Sequence, residues 1–344
     1  MGSKGLKKKA AAFIVIMALL AVLPASCKRA GQDKEKIYRK SSILLDTLVT
    51  ITVVAGSPKQ ANDAIDAAFA EIAKLQKLIS FWDPKSEISE LGRESGIRPV
   101  KVSPETLDLI KDAVYVSKKT GGAFDCTLGP VIKAWNIPYS KKIPSKAVLD
   151  AARKLVGYQN IKIDEANSTV FFTKKGMSCD TGGIAKGWAA DYAVRVLKAH
   201  GIKAGIVADA GDMRVFGKKP DGHGWMVGIQ NPRPKGKNSQ TIAKIELVNA
   251  AISTSGDYER YFIINGVRYS HIIDPRTDYP AHGFESLTMI TPKGVWSDGF
   301  SKIFVLGPQK GMPLVNALGF NAVAVDSRGK IYYTPGLKGR LIFK

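Results

Sequence analysis

At 344 residues the chain has room for one large domain or two ordinary ones, and 45% hydrophobic residues suffice to bury a core. A formal charge of +21 favours anionic partners, but the lysines are scattered, with no basic helix or aromatic–basic alternation, which argues against nucleic acid as a partner. Three cysteines make no disulfide framework, and four dispersed histidines (His200, His223, His271, His282) give no zinc spacing.

In chain order, Lys4 and Lys7 to Lys9 precede an apolar run from Ala10 to Leu23, then Pro24-Ala25-Ser26-Cys27. That run is short for a spanning helix and ends in small residues, so residues 1–27 read as an export signal. The residues before Cys27 resemble a bacterial lipobox, which predicts a lipid anchor on Cys27, with plain secretion as the alternative. Residues 28–40 are polar and charged, as in a tether from the membrane. A strand is expected from Ile43 to Val54, and a helix from about Pro58 to Ile79 on the spacing of Ala64, Ala68, Ile72, Leu75 and Ile79. Ser80 to Ser89 reads as a loop holding Phe81 and Trp82. Ser103 and Pro104 open a second helix that runs to Thr120. Gly122 to Pro130 is glycine-punctuated and carries one acid, Asp125. A short helix over 145–156 and a hairpin over 161–173 follow.

Ser178 to Asp191 then reads as strand, glycine-rich turn and helix N-terminus. Such a turn aims backbone N–H groups and a helix dipole at one point, which suits a phosphate. Gly182, Gly183 and Gly187 would allow close approach of a ligand, and Lys186 adds a cation. The pattern is neither G-x-G-x-x-G nor a Walker A loop, and a plain tight turn is the alternative reading. From residue 204 short strands dominate, with a hairpin at Asn265-Gly266, helices over 295–306 and 308–318, and a last hairpin over 322–333. The expected fold is α+β: one continuous unit over 41–344, with a mixed antiparallel sheet, packed helices and a helical lobe in its first half.

Three further segments carry chemistry. Ser253 to Tyr258 is a hydroxyl-rich glycine turn, His271 leaves a strand into Asp274-Pro275, and Ser297, Asp298 and Ser301 open a helix. Each alone has a structural reading: a capped turn, a packed histidine, a helix N-terminal acid. Together they supply a base, hard oxygen ligands and an anion cradle, the parts that cleavage of a pyrophosphate needs.

These segments match, in order, the signatures of the ApbE family of FAD:protein FMN transferases, which the chain resembles over residues 43–341. The matching blocks are SEIS (86–89), GAFDCTLGP (122–130), DTGGIAKGWAADYA (180–193), DAGDMR (209–214), STSGDYERYF (253–262), HIIDPRT (271–277) and SDGFSKIFVLG (297–307). The resemblance implies a single T-fold-like domain that uses FAD and Mg2+ outside the cytoplasm. Its members split the pyrophosphate and attach FMN to a threonine or serine of an acceptor protein of a membrane redox complex, releasing AMP. It places such a protein on the periplasmic face of a bacterial inner membrane. A FAD pyrophosphatase, or a flavin-binding lipoprotein without catalysis, is the alternative. By position the resemblance makes His271 the base. It makes the Ala185 carbonyl, Asp298 and Ser301 the metal ligands, and it puts Trp82, Asp125, Asp180, Lys186, Asp212 and Thr254 around the flavin nucleotide.

The chain departs from the family pattern at several places. Lys302 stands where the family has a metal-ligating threonine, and an ammonium repels Mg2+. The stretch from Lys302 to Gly307 is one residue short. Asp278 replaces a glycine, Ala208 to Asp212 replaces Asn-Ala-Gly-Gly-Asp, and Cys126 replaces a proline. Both cysteine-bearing blocks belong to the flavin site, so Cys126 and Cys179 are expected as neighbours and as a disulfide.

Overall fold

The fold starts on a hairpin. In the computed structural model, which describes residues 35–137, 139–236 and 240–343, β1 (Lys36–Leu44) runs antiparallel to β2 (Thr47–Ala55). Leu45 and Asp46 make the turn at φ of 52° and 57°, as a two-residue type I′ turn requires. This corrects two expectations. Residues 36–40 are strand rather than tether, and the predicted strand over 43–54 is two strands. β1 lies at the edge of its sheet, where Lys36, Arg39 and Lys40 are tolerated and block further pairing. Residues 1–27, with Cys27, lie outside the described residues.

α1 spans Pro58–Ile79, capped by Ser57, whose side chain accepts from Gln60 N. Then come α2 (Glu87–Arg93), β3 (Val100–Lys101), α3 (Pro104–Lys119), α4 (Gly129–Trp135), α5 (Lys146–Arg153), β4 (Ile161–Asp164), β5 (Thr169–Phe172) and α6 (Ala185–Ala199). They are followed by β6 (Ala204–Asp209), β7 (Asp212–Phe216), β8 (Trp225–Gln230), β9 (Thr241–Leu247), β10 (Ala251–Gly256), β11 (Tyr261–Ile264), β12 (Val267–Ser270) and β13 (Ser286–Thr291). The chain closes with α7 (Gly294–Phe300), α8 (Gly307–Ala317), β14 (Asn321–Val325), β15 (Ile331–Tyr333) and β16 (Leu341–Phe343).

The frame is an eight-stranded antiparallel sheet of order β1-β2-β6-β7-β10-β13-β14-β15. α1, α6 and α7 pack on one face. Val54, Val215, Ile252 and Val323 point to the other, where they meet Val227, Ile229, Ala243 and Ile245 of the small sheet β16-β9-β8. The α+β class and the antiparallel sheet expected from the sequence are therefore present, as one domain. The segment around Ser253 is not a turn. It is β10, an interior strand paired on both sides by β7 and β13. Its small hydroxyl side chains hide it from strand statistics. They are small because α7 lies close above them. Ser253 Oγ is 2.8 Å from Ser297 Oγ, and Ser255 Oγ is 2.7 Å from Ser301 Oγ. Two residues along a strand span about 6.7 Å and four along a helix about 6 Å, so the two hydroxyl pairs stay in step.

α6 and α7 cross backbone to backbone. A Cβ on Gly187 would lie 2.0 Å from Gly294 O, and one on Gly294 would lie 2.2 Å from Gly187 O. Gly187 thus approaches a helix rather than a ligand, which corrects its assignment to the phosphate cradle. Gly187→Ala is expected to cost about 2–3 kcal/mol or more by overpacking this crossing. Gly211→Ala, at a position with nothing within 4 Å, should stay within about 0.5 kcal/mol. Denaturant midpoints of the two variants check this, and a Gly187→Ala protein as stable as the parent would contradict it.

Candidate functional site

A cavity of about 660 Å3 opens beside the N-terminus of α6. One part of its wall is apolar, with Phe81, Trp82, Phe124, Leu128 and Ile132. Another holds Lys186, Asp212, His271, Asp298 and Lys302. This division suits a ligand with a flat aromatic part and an anionic part. Trp82 stands at the rim, 55% exposed and edge-on to Phe81 with ring centroids 5.0 Å apart.

The turn before α6 is built by its own side chains. Asp180 Oδ1 accepts from Gly182 N at 2.7 Å, and Thr181 O accepts from the N–H groups of Ile184 and Ala185 at 2.9 Å. The N–H of Gly187 is taken by Asp298 Oδ2 at 3.2 Å. Those of Gly183 and Lys186 have no partner among the described residues and remain for an anion. Asp125 does similar structural work in the neighbouring segment, where Cys126 O accepts from Asp180 N at 2.7 Å. The Asp125 carboxylate accepts from Thr127 N, Thr127 Oγ1 and Tyr158 N at 2.8, 2.6 and 3.1 Å. Burial raises both carboxyl groups above the usual carboxylate range, against those hydrogen bonds.

Lys186 reaches back to bond Asp212 Oδ2, whose Oδ1 accepts from Thr254 N at 3.3 Å. Burial alone would lower the Lys186 ammonium, but Asp212 and Asp298 raise it above the usual lysine value, so it stays charged. Thr254 Oγ1 pairs with Thr288 Oγ1 at 2.8 Å on the cavity side of β10. His271 directly follows β12. Its Nδ1 is 3.3 Å from Arg260 O; a carbonyl only accepts, so Nδ1 carries the proton and Nε2 keeps its lone pair. Burial, then the charges of Lys302 and Arg260, lower its pKa to about 4, so the ring is neutral at pH 7.

Of the three expected metal ligands, Ala185, the first residue of α6, and Asp298 of α7 both line the cavity. Ser301 does not reach the cavity wall. Its hydroxyl donates to Asp298 O at 2.6 Å and has Ser255 Oγ at 2.7 Å and Lys302 Nζ at 3.0 Å. One hydrogen and two lone pairs are then spent. Lys302 Nζ also donates to Asp298 O at 3.1 Å and Asp298 Oδ1 at 3.2 Å. α7 ends at Phe300 and continues as a 3-10 turn over Ser301–Leu306, so Asp298 O lacks its α-helical partner and takes these side chains instead. Among the described residues no group of three or more His, Cys, Asp or Glu side chains is placed to hold a metal.

Other departures resolve structurally. Asp278 takes the left-handed conformation a glycine would, φ 66°. It is held there by Arg153 at its Oδ2 and by Trp135 Nε1 donating to its carbonyl at 2.6 Å. Cys126 and Cys179 are neighbours, as expected, but are buried free thiols rather than a disulfide. The Cys179 thiol and then burial push Cys126 well above the usual thiol range, where it is unreactive.

Sequence reasoning missed two residues. Arg260 lines the cavity with no ion-pair partner among the described residues, a free cation facing the ligand space. Only the emergence of β11 immediately after it could have signalled its placement. Asp209 is buried at the end of β6 with both carboxylate oxygens unpaired. Strand alternation with the buried Val207 marks its inward face. Burial raises its pKa to about 7, opposed by Lys186. An acid raised from about 4 to about 7 on folding takes up a proton in that window, so stability falls as pH rises from about 4 to 7. Asp209→Asn should remove that slope and gain about 2–4 kcal/mol relative to the parent at pH 8, with little gain at pH 4. Urea unfolding at both pH values checks this, and equal gains at both would remove Asp209 as the cause.

Comparison with known proteins matches residues 45–324 to the ApbE family. A FAD:protein FMN transferase of Treponema pallidum is 27% identical over 344 residues, covering 94% of each chain. One of Vibrio cholerae is 33% identical over 244 residues, 70% of this chain and 72% of that one. The crystal structure of an ApbE protein from Thermotoga maritima superposes with a TM-score of 0.81 at 32% identity, covering 89% of this chain and 99% of its own.

Proposed function

The chain belongs to the ApbE family, and we propose that it is an FAD:protein FMN transferase that holds FAD in the cavity beside α6 and moves FMN to a Ser or Thr hydroxyl of an acceptor protein, releasing AMP. The observation that carries this is a neutral His271 in the same wall as the cations Lys186 and Lys302. His271 Nε2 takes the proton of the acceptor hydroxyl. The hydroxyl oxygen forms a bond to the phosphorus on the flavin side of the pyrophosphate. The bond from that phosphorus to the bridging oxygen breaks, and the bridging oxygen leaves with AMP. Lys186, with the free N–H groups of Gly183 and Lys186, carries the phosphate charge, and Arg260 adds a further cation at the wall. Trp82 and Phe124 offer faces for the flavin ring.

Mg2+ is the cation that relatives of this type are expected to use, and the ligand set here does not fit it. Of the three expected oxygens, the Ser301 hydroxyl is saturated and Asp298 is engaged by Lys302 and Gly187 N. No step is assigned to Mg2+. The export signal and Cys27 support lipid anchoring at the periplasmic face of a bacterial inner membrane, with the acceptor in a membrane redox complex.

Incubation of the protein with FAD, with and without an array of Ser- and Thr-bearing peptides, tests the reading. Flavin bound covalently to peptide, with AMP released, is the expected result. AMP and free FMN without peptide labelling would instead make the protein a pyrophosphatase. His271→Ala should slow AMP release about 10²–10⁴-fold while leaving FAD affinity unchanged. In Asp209→Asn, which lacks the acid raised to about 7, kcat/KM should be flat from pH 6 to 8 and fall only as pH drops towards about 4, where His271 gains its proton. A descending limb near pH 6.5 would contradict the assigned environment of His271.

A further inference from the structure

The flavin-transfer reading requires positive charge where the pyrophosphate opens, and the inference that follows rests on it. We propose that the Lys302 ammonium takes the place of a divalent cation in this protein, so that Lys302 is a further catalytic residue and FMN transfer proceeds without added metal. Four observations converge. The ammonium lies 3.0–3.2 Å from Ser301 Oγ, Asp298 O and Asp298 Oδ1, the distances of N–H···O bonds, and Ser301 Oγ and the Asp298 carboxylate are two of the three oxygens expected to hold a metal. Ser301 has no lone pair left for a metal, because Ser255 and Lys302 use both. Gly183 leaves room for the lysine stem: a Cβ there would lie 3.2 Å from Lys302 Cε. The Lys302 side chain keeps 20% of its surface open and lines the cavity, so its charge faces the ligand space.

The rest of the site agrees with a fixed monovalent charge. Asp298 is held from behind by Gly187 N, so its carboxylate cannot swing away with the lysine. Lys186, paired with Asp212, gives a second ammonium at the same helix terminus. A divalent ion on the same oxygens would sit against both ammoniums and be repelled. A lysine is a point charge that needs no fixed coordination shell, so it can follow charge as it moves. In the transfer step, charge grows on the bridging oxygen as its bond to the flavin-side phosphorus breaks. Lys302 balances that charge until AMP leaves, while the proton from the acceptor hydroxyl rests on His271. Removing the Lys302 charge also removes a cation that lowers the His271 pKa, so the acid limb of the pH profile should move up.

The test compares the full-length protein with Lys302→Thr, Lys302→Met and Lys302→Arg. In EDTA the parent should release AMP from FAD within about twofold of its rate in Mg2+, and Lys302→Arg should keep much of that rate. Lys302→Met should lose about 10²-fold or more in both conditions. Lys302→Thr should lose as much in EDTA and recover with Mg2+. Independently of activity, Mn2+ titration followed by electron paramagnetic resonance should find no stoichiometric site in the FAD-loaded parent and one in Lys302→Thr. A parent that is silent in EDTA and restored by Mg2+, a parent that binds one Mn2+ tightly, or a fully active Lys302→Met overturns the proposal. A parent inactive in both conditions would overturn the transferase reading itself, and the Mn2+ titration would still decide the role of Lys302. Circular dichroism melts of the three variants separate misfolding from loss of charge.

Discussion

Everything chemical in this fold depends on two helices touching without side chains between them. Gly187 and Gly294 let α6 and α7 meet backbone to backbone. α6 brings Lys186 and the free N–H groups of its first turn, and α7 brings Asp298 with Lys302 just beyond it. The bond from Gly187 N to Asp298 Oδ2 crosses the contact itself. Beneath it, the serine pairs Ser253–Ser297 and Ser255–Ser301 fasten α7 to the middle of the large sheet. A shift of one residue in α7 would break both pairs, so the position of the acid and the lysine is inherited from the sheet. Precision comes from small residues and hydroxyl pairs rather than from large apolar side chains.

That rigidity is what makes the polar cluster tolerable. Asp209, Asp212 and Asp298 are all buried, within reach of two lysines. Removing ions from water is costly, and pairing offsets the cost only when the geometry is good. Asp212 and Asp298 have that geometry. Asp209 has none and sheds its charge near neutrality instead. The frame holds this strain because apolar packing surrounds it on both faces of the sheet.

Long, regular elements were legible in the sequence. α1 follows from apolar spacing and α3 from Ser103 and Pro104, and the structure ends them at Ile79 and Lys119. What escaped was set by tertiary contact. β10 looks like a turn because the positions that face α7 are the serines Ser253 and Ser255. β1 looks like a tether because an edge strand is charged. α2 and α4 are seven residues each, too short to show a period. At the site, residues from the motif segments line one cavity, but spacing could not say which partner each side chain would choose. Gly187 faces a helix, Asp125 braces its own turn, and Ser301 spends its hydroxyl inside the protein. Lys302 was visible as an oddity, and only the structure shows its ammonium bonded to Ser301 Oγ, Asp298 O and Asp298 Oδ1.

The proton held on Nδ1 of His271 by the Arg260 carbonyl has a kinetic meaning. On the proposed reading, a base that is neutral and always presents the same lone pair does not by itself choose between water and a peptide hydroxyl. The fate of each bound FAD is then a race between arrivals at one lone pair. Fidelity becomes a matter of how long the opening beside Trp82 stands wet before a partner chain fills it.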